Sequence, residues 1–242
     1  MELVEVAVIV VMVLVIISLG VRLTPLSSKP SRLIVALHLL LLVPMVLAIS
    51  PVYLLVDGWL GGLSLANLLS HLLFVILGWM AARLISRPLN SSRQSSALLG
   101  AWVLAVGLIG TTVTYLVMPV TTSSRGLDTY HTHPLFPVYW TFTYVTFLVP
   151  SLWLVPRLRH ALTITGFRSL RVPFAGMLTS FVMVWPVVAM YYVGSWWPEA
   201  IPLRELCVAV AGCAMMFGFL TLPLSGKKAQ VHRTGSHAPS HS

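Results

Sequence analysis

Seven long apolar runs, separated by short polar connections, account for most of the chain: residues 3–21, 33–55, 63–84, 97–120, 136–154, 172–194 and 206–224. Each reaches the roughly 17 to 25 residues that a helix needs to cross the hydrocarbon core of a bilayer. The pattern therefore predicts an all-α, polytopic membrane protein with seven transmembrane helices. The second run contains His38, Pro44 and Pro51, and a short turn around Asp57 and Gly61-Gly62 returns the chain as the third run, predicting an antiparallel hairpin. Residues 225–242, SGKKAQVHRTGSHAPSHS, hold almost no large apolar side chain, so they are expected to form a disordered cytoplasmic tail.

Composition agrees with this division. The chain is 57% hydrophobic and only 9% charged, too little polar surface to clothe a soluble globule of 242 residues. Its net charge of +9 acquires a meaning once the charges are placed. Arg22, Lys29, Arg32, Arg83, Arg87, Arg93, Arg157, Arg159, Arg168, Arg171, Lys227, Lys228 and Arg233, thirteen of the fifteen basic residues, follow runs one, three, five and seven, counting the inner end of run three. Only Arg125 and Arg204 lie opposite, and all six acids (Glu2, Glu5, Asp57, Asp128, Glu199, Glu205) fall on that opposite side. Positive residues gather on the cytoplasmic side, which predicts the N-terminus outside and the C-terminus cytoplasmic in a multi-pass plasma-membrane protein. The basic balance is then an orientation signal with some attraction to anionic lipid; the expected partner is the lipid bilayer and no nucleic acid. The acidic start, Glu2 and Glu5, is unlike the basic start of a cleavable signal peptide, so run one is expected to be retained as a span. Tyr53, Trp59, Tyr115, Tyr139, Trp140, Tyr191, Tyr192, Trp196 and Trp197 all sit toward the outer ends, where amphipathic rings favour the headgroup boundary.

Polar chemistry concentrates in the third run, where Asn67, Ser70 and His71 interrupt an oily stretch and Asn67 and His71, four residues apart, share one helical face. The stretch SPVYLLVDGWLGGLSLANLLSHLLFVIL, residues 50–77, resembles a family of uncharacterised actinobacterial seven-helix integral membrane proteins, some of whose members are labelled putative transporters. The resemblance extends more loosely over all seven runs, including HPLFPVYWTFTYVTF at the start of the fifth, and implies that Asn67 and His71 are the matching polar positions. Members usually continue into a cytoplasmic C-terminal region, which this chain is expected to lack. The family lends no activity.

No phosphate-cradling glycine loop, HExxH or CxxC occurs, and no acid lies deep in any run, so neither enzyme chemistry nor a catalytic residue is expected. Cys207 and Cys213, six residues apart in one run, are expected as free thiols. His131 and His133 with Asp128 are a weak metal signal, and no metal is assigned. Bis-histidine haem requires matched depth; at about 1.5 Å per residue His71 lies about 12 Å and His38 roughly 25 Å below the outer boundary, so no cofactor is expected. The same counting brings His71, Thr111, Tyr144, Trp185 and Cys213 to one level. With Asn67, four of these (His71, Thr111, Tyr144 and Trp185) form the candidate ligand-binding set; the alternative is a network of interhelical hydrogen bonds that only satisfies buried groups. Small residues at Gly107/Thr111, Gly110/Thr114 and Ala214/Gly218 have the spacing that lets membrane helices approach closely, within the monomer before any dimer. The expected function is a non-enzymatic sensing or regulatory module acting through an unidentified membrane or cytoplasmic protein partner; the alternative is a small-molecule transporter.

The charge division makes the topology testable. Single cysteines at Ser124 and Ser225, in a background lacking Cys207 and Cys213, are expected to react with an impermeant thiol reagent from outside and only after permeabilisation, respectively. Labelling of both from one side would overturn the seven-span arrangement.

Overall fold

A computed structural model describes residues 3–23, 32–89, 98–164 and 170–235. Glu2, Lys29, Arg93, Arg168 and the last seven residues of the expected tail lie outside the described residues. Eight α-helices carry the described chain: α1 (Leu3–Leu23), α2 (Arg32–Leu47), α3 (Ser50–Trp59), α4 (Leu65–Ser86), α5 (Ala101–Val117), α6 (Leu135–Thr163), α7 (Arg171–Trp196) and α8 (Ile201–Gly235). No strand occurs among the described residues. All seven apolar runs are helical, and the protein is all-α. Four helical segments, Leu65–Ser86, Leu135–Thr163, Arg171–Trp196 and Pro198–Phe219, are long and apolar enough to cross a membrane, and a fifth span results if α2 and α3 count as one broken crossing. Val8–Gly20 and Ala101–Val117 are shorter apolar helices.

Two expectations are corrected. The second run does not continue unbroken over 33–55: it bends by 93° between α2 and α3. Ile49 at the break is extended (φ −82°, ψ 115°), and Pro51 follows in the first turn of α3, where its missing N–H costs nothing. The stretch around Asp57, read as a turn, is thus the end of a helix. At the C-terminal end, α8 is described to Gly235, past the end of the seventh apolar run at residue 224. The segment Lys227-Lys228-Ala229-Gln230 is rich in strong helix formers and contains no proline, which lets the helix continue.

Six helices close into a ring. Each packs against the next in the order α1, α2, α4, α6, α7, α8, and α8 returns to α1; α5 lies outside, against α4 and α6. Backbone meets backbone between α7 and α8, where a Cβ on Gly176 would come within 2.6 Å of the Ala214 carbonyl and one on Gly218 within 3.0 Å of the Pro173 carbonyl. The small residues of the last run therefore serve packing within the monomer. Gly107 is likewise closed in by Val75 and Val145, which seats α5 on α4 and α6.

The start of α4 is fixed by a carboxylate from the preceding helix. Asp57, fully buried, accepts the backbone N–H of Ser64 (3.0 Å) and of Ala66 (2.9 Å). Two of the N–H groups that a helix start leaves unpaired are satisfied there, and the negative charge faces the positive end of the helix dipole. Gly61 (φ 107°) and Gly62 (φ 70°) supply the left-handed turn that brings the chain back over Asp57. Asp57→Ala is expected to destabilise the protein by about 2 kcal/mol, with Asp57→Asn retaining part of it, measured by thermal unfolding in detergent. Parent-like melting of Asp57→Ala would show that the cap does not hold α4.

Candidate functional site

The ring encloses a cavity of about 370 Å³ to which all six of its helices contribute. Along α4 the wall runs from Asn67 to Ala81, and along α8 from Arg204 to Phe219. At about 1.5 Å per residue both stretches are roughly 20 Å long, so the space is elongated along the bundle axis. Most of the wall is aliphatic or aromatic. The polar groups on it are few: His38, Asn67, Ser70, His71, Ser180, Arg204 and Glu205, with the hydroxyls of Tyr144 and Tyr191.

Of the five residues selected from the sequence, Asn67, His71 and Tyr144 line this cavity. Thr111 and Trp185 do not. Thr111 is buried between α5 and α6, its hydroxyl 3.5 Å from that of Thr143. Trp185 is 48% exposed on the outside of the bundle, and its indole N–H donates to Ser151 Oγ at 2.9 Å. The faces of α5 and α7 that carry them are turned from the cavity. Cys213 packs beside Val11, Val15 and Met216 at the α1–α8 contact, and both cysteines are free thiols.

Asn67 is tied into a buried polar knot at the Asp57 end. Its amide donates to Tyr53 Oη at 2.9 Å and to the Ser124 carbonyl. The Tyr53 hydroxyl donates to the Ser124 carbonyl (3.1 Å), the Ser64 hydroxyl donates to the Thr122 carbonyl (3.0 Å), and the Ser124 N–H donates back to Ser64 Oγ (2.9 Å). The loop after α5 is thereby locked onto α3 and α4. Ser124 is half-buried by these contacts, while Thr129 in the same loop is exposed and is the more reachable labelling position.

His71, one turn below Asn67, starts a chain of aromatic contacts along the wall. Its Nδ1 is hydrogen-bonded to Tyr139 Oη at 2.5 Å, and its ring meets Trp140 edge-on at 4.4 Å. Trp140 stacks on Tyr191 with centroids 4.3 Å apart and planes within 15°, and the Arg204 guanidinium lies 4.8 Å over the Tyr191 ring. Several aromatics expected at the headgroup boundary, Tyr53, Tyr115, Tyr139, Trp140 and Tyr191, are instead buried in this end of the bundle. Trp59, Trp196 and Trp197 remain exposed there. Stacking and edge contacts stiffen such a wall, because the rings have few rotamers and interlock.

Sequence reasoning missed two members of the site. His38 was separated from His71 by depth, yet both line the cavity because it is long; His38 Nε2 is hydrogen-bonded to Ser18 Oγ at 2.8 Å. Arg204 is only 6% exposed. Its signal was present as one of the two basic residues on the acidic side of the charge division. His133 supports the start of α6, where its Nδ1 accepts the Leu135 N–H at 3.2 Å.

No family model, no curated protein and no solved structure matches this chain.

In the same loop region, Tyr130 Oη accepts the N–H of Thr121 (2.8 Å) and of Thr122 (3.0 Å). Burial pushes this phenol up, but the hydrogen bonds from Thr122 and Thr121 outweigh it and bring the pKa from 10.0 down to about 8. Because the unfolded chain holds the proton longer, the loop gains stability as pH rises from about 8 toward 10. The expected result is a phenolate absorbance step near pH 8 that Tyr130→Phe removes, and a melting temperature that rises relative to Tyr130→Phe across that interval. A Tyr130→Phe difference spectrum with no step below pH 10 would refute it.

Proposed function

We propose that this is a non-enzymatic sensing or regulatory module of the plasma membrane, which binds a small lipophilic ligand in its central cavity and acts through a protein partner. The observation that carries the reading is the closed ring of six helices around an apolar space on which Asn67, His71, Tyr144 and Arg204 place the polar groups. In the arrangement we propose, α2 and α3 form one broken crossing, seven segments cross in all, the N-terminus is outside and the C-terminus cytoplasmic. Membership of the uncharacterised actinobacterial family belongs to the same proposal and rests on the motif of residues 50–77.

A small-molecule transporter is the second reading, and the 93° bend between α2 and α3 favours it, because carriers use broken helices at their binding sites. Ala48, beside the break, lines the cavity. The two readings differ in access. A single cysteine at Ser70, on the cavity wall, is expected to react with an impermeant thiol reagent from one face of the membrane only, and crosslinking of a tagged copy in native membranes is expected to capture one defined partner. Reaction from both faces without a captured partner would replace the sensor with a carrier.

A further inference from the structure

The shape of the cavity and the position of its one buried guanidinium narrow the ligand, on the reading that the cavity is a ligand site. A space roughly 20 Å long between α4 and α8 suits an extended chain better than a compact molecule. Its middle is walled by Val184, Val208, Met215, Phe74, Leu77 and Phe147, which offer an acyl chain dispersion contacts and no hydrogen bonds. At one end lies Arg204, whose charge is permanent and whose N–H groups only donate. Glu205, whose side chain is one-third exposed, forms an ion pair with Arg204 (Nη2 to Oε1 3.9 Å), and both residues line the cavity. The donor-only guanidinium on the wall favours a ligand group that accepts hydrogen bonds and carries negative charge.

We propose that the cavity holds a single-chain anionic amphiphile, its acyl chain lying between α4 and α8 and its anionic group at Arg204. A free fatty acid and one chain of an anionic phospholipid share this chemistry. Gly212 offers a means of blocking the chain: it lies on the cavity wall, and a Cβ added there meets nothing within 4 Å. A leucine at this position projects into the space and raises helix propensity, so the protein is expected to fold at least as stably.

The test is equilibrium binding of radiolabelled hexadecanoate and hexadecanol to the full-length protein in neutral detergent, with aminoanthracene as a compact apolar probe. Hexadecanoate is expected to bind about ten- to hundredfold more tightly than hexadecanol, the effect of one charged hydrogen-bonding group. Arg204→Gln is expected to erase that preference, and Gly212→Leu to lose both chains while melting no lower than the parent. Equal affinity for acid and alcohol overturns the anionic head, and it does so in the parent protein, whatever the stability of Arg204→Gln. Chain binding that survives Gly212→Leu overturns the placement. Binding of aminoanthracene alone overturns the chain but leaves the cavity as a ligand site; binding of none of the three overturns the ligand-site reading itself. In nanodiscs, suppression of hexadecanoate binding by phosphatidylglycerol but not by phosphatidylcholine identifies a membrane lipid as the occupant, and absence of suppression in both identifies a free acid; either supports the proposal.

Discussion

A buried carboxylate holds the start of the helix on which the candidate site is built. Asp57 satisfies two N–H groups at the beginning of α4 from within the preceding short helix, and this fixes the angle between α3 and α4 as well as the rotation of α4 about its axis. In hydrocarbon an unpaired backbone N–H is costly, so a helix that starts inside the bundle requires such a partner. With α4 fixed, Asn67 reaches Tyr53 and the Ser124 carbonyl, and His71 reaches Tyr139. Loop, helix start and aromatic wall form one connected unit, and rotation of α4 would break all of it together.

The distribution of polarity is the inverse of a soluble protein's. Ile16, Leu116, Val117 and Leu152 are exposed, while Asp57, His38, Asn67, Thr143 and Arg204 are buried. Where lipid surrounds the bundle, apolar burial drives helix association only weakly, and close packing and internal hydrogen bonds take its place. Both devices occur here: backbone contact at Gly176 and Gly218 between α7 and α8, and side-chain pairs such as Ser18 with His38 and Trp185 with Ser151.

A bundle that packs so tightly on one side leaves an open space on the other for identifiable reasons. Gly212 brings no side chain to the wall, α2 turns away at Ala48–Ile49 before completing a straight crossing, and the stacked Trp140 and Tyr191 brace the opposite side. These features act at different points of the ring. The cavity is therefore a property of the ring's closure, and no single helix encodes it.

The order of apolar and polar residues determined that the chain is helical and membrane-like, located its helical segments to within a few residues in most cases, and singled out Asn67, His71 and Tyr144. Those signals are local: hydropathy averages over one segment, and depth is residue number multiplied by helix rise. Tertiary structure alone decided which way each residue faces. Thr111 and Trp185 are turned from the cavity, because azimuth depends on which neighbour a helix packs against. The bend after Leu47 was signalled by Pro51 but not specified, since proline at a helix start is compatible with either a break or a kink. Arg204 stood out only as an exception to the charge division. Its burial against Tyr191 comes from the contact of α7 with α8 across a turn, a long-range arrangement that local composition does not contain.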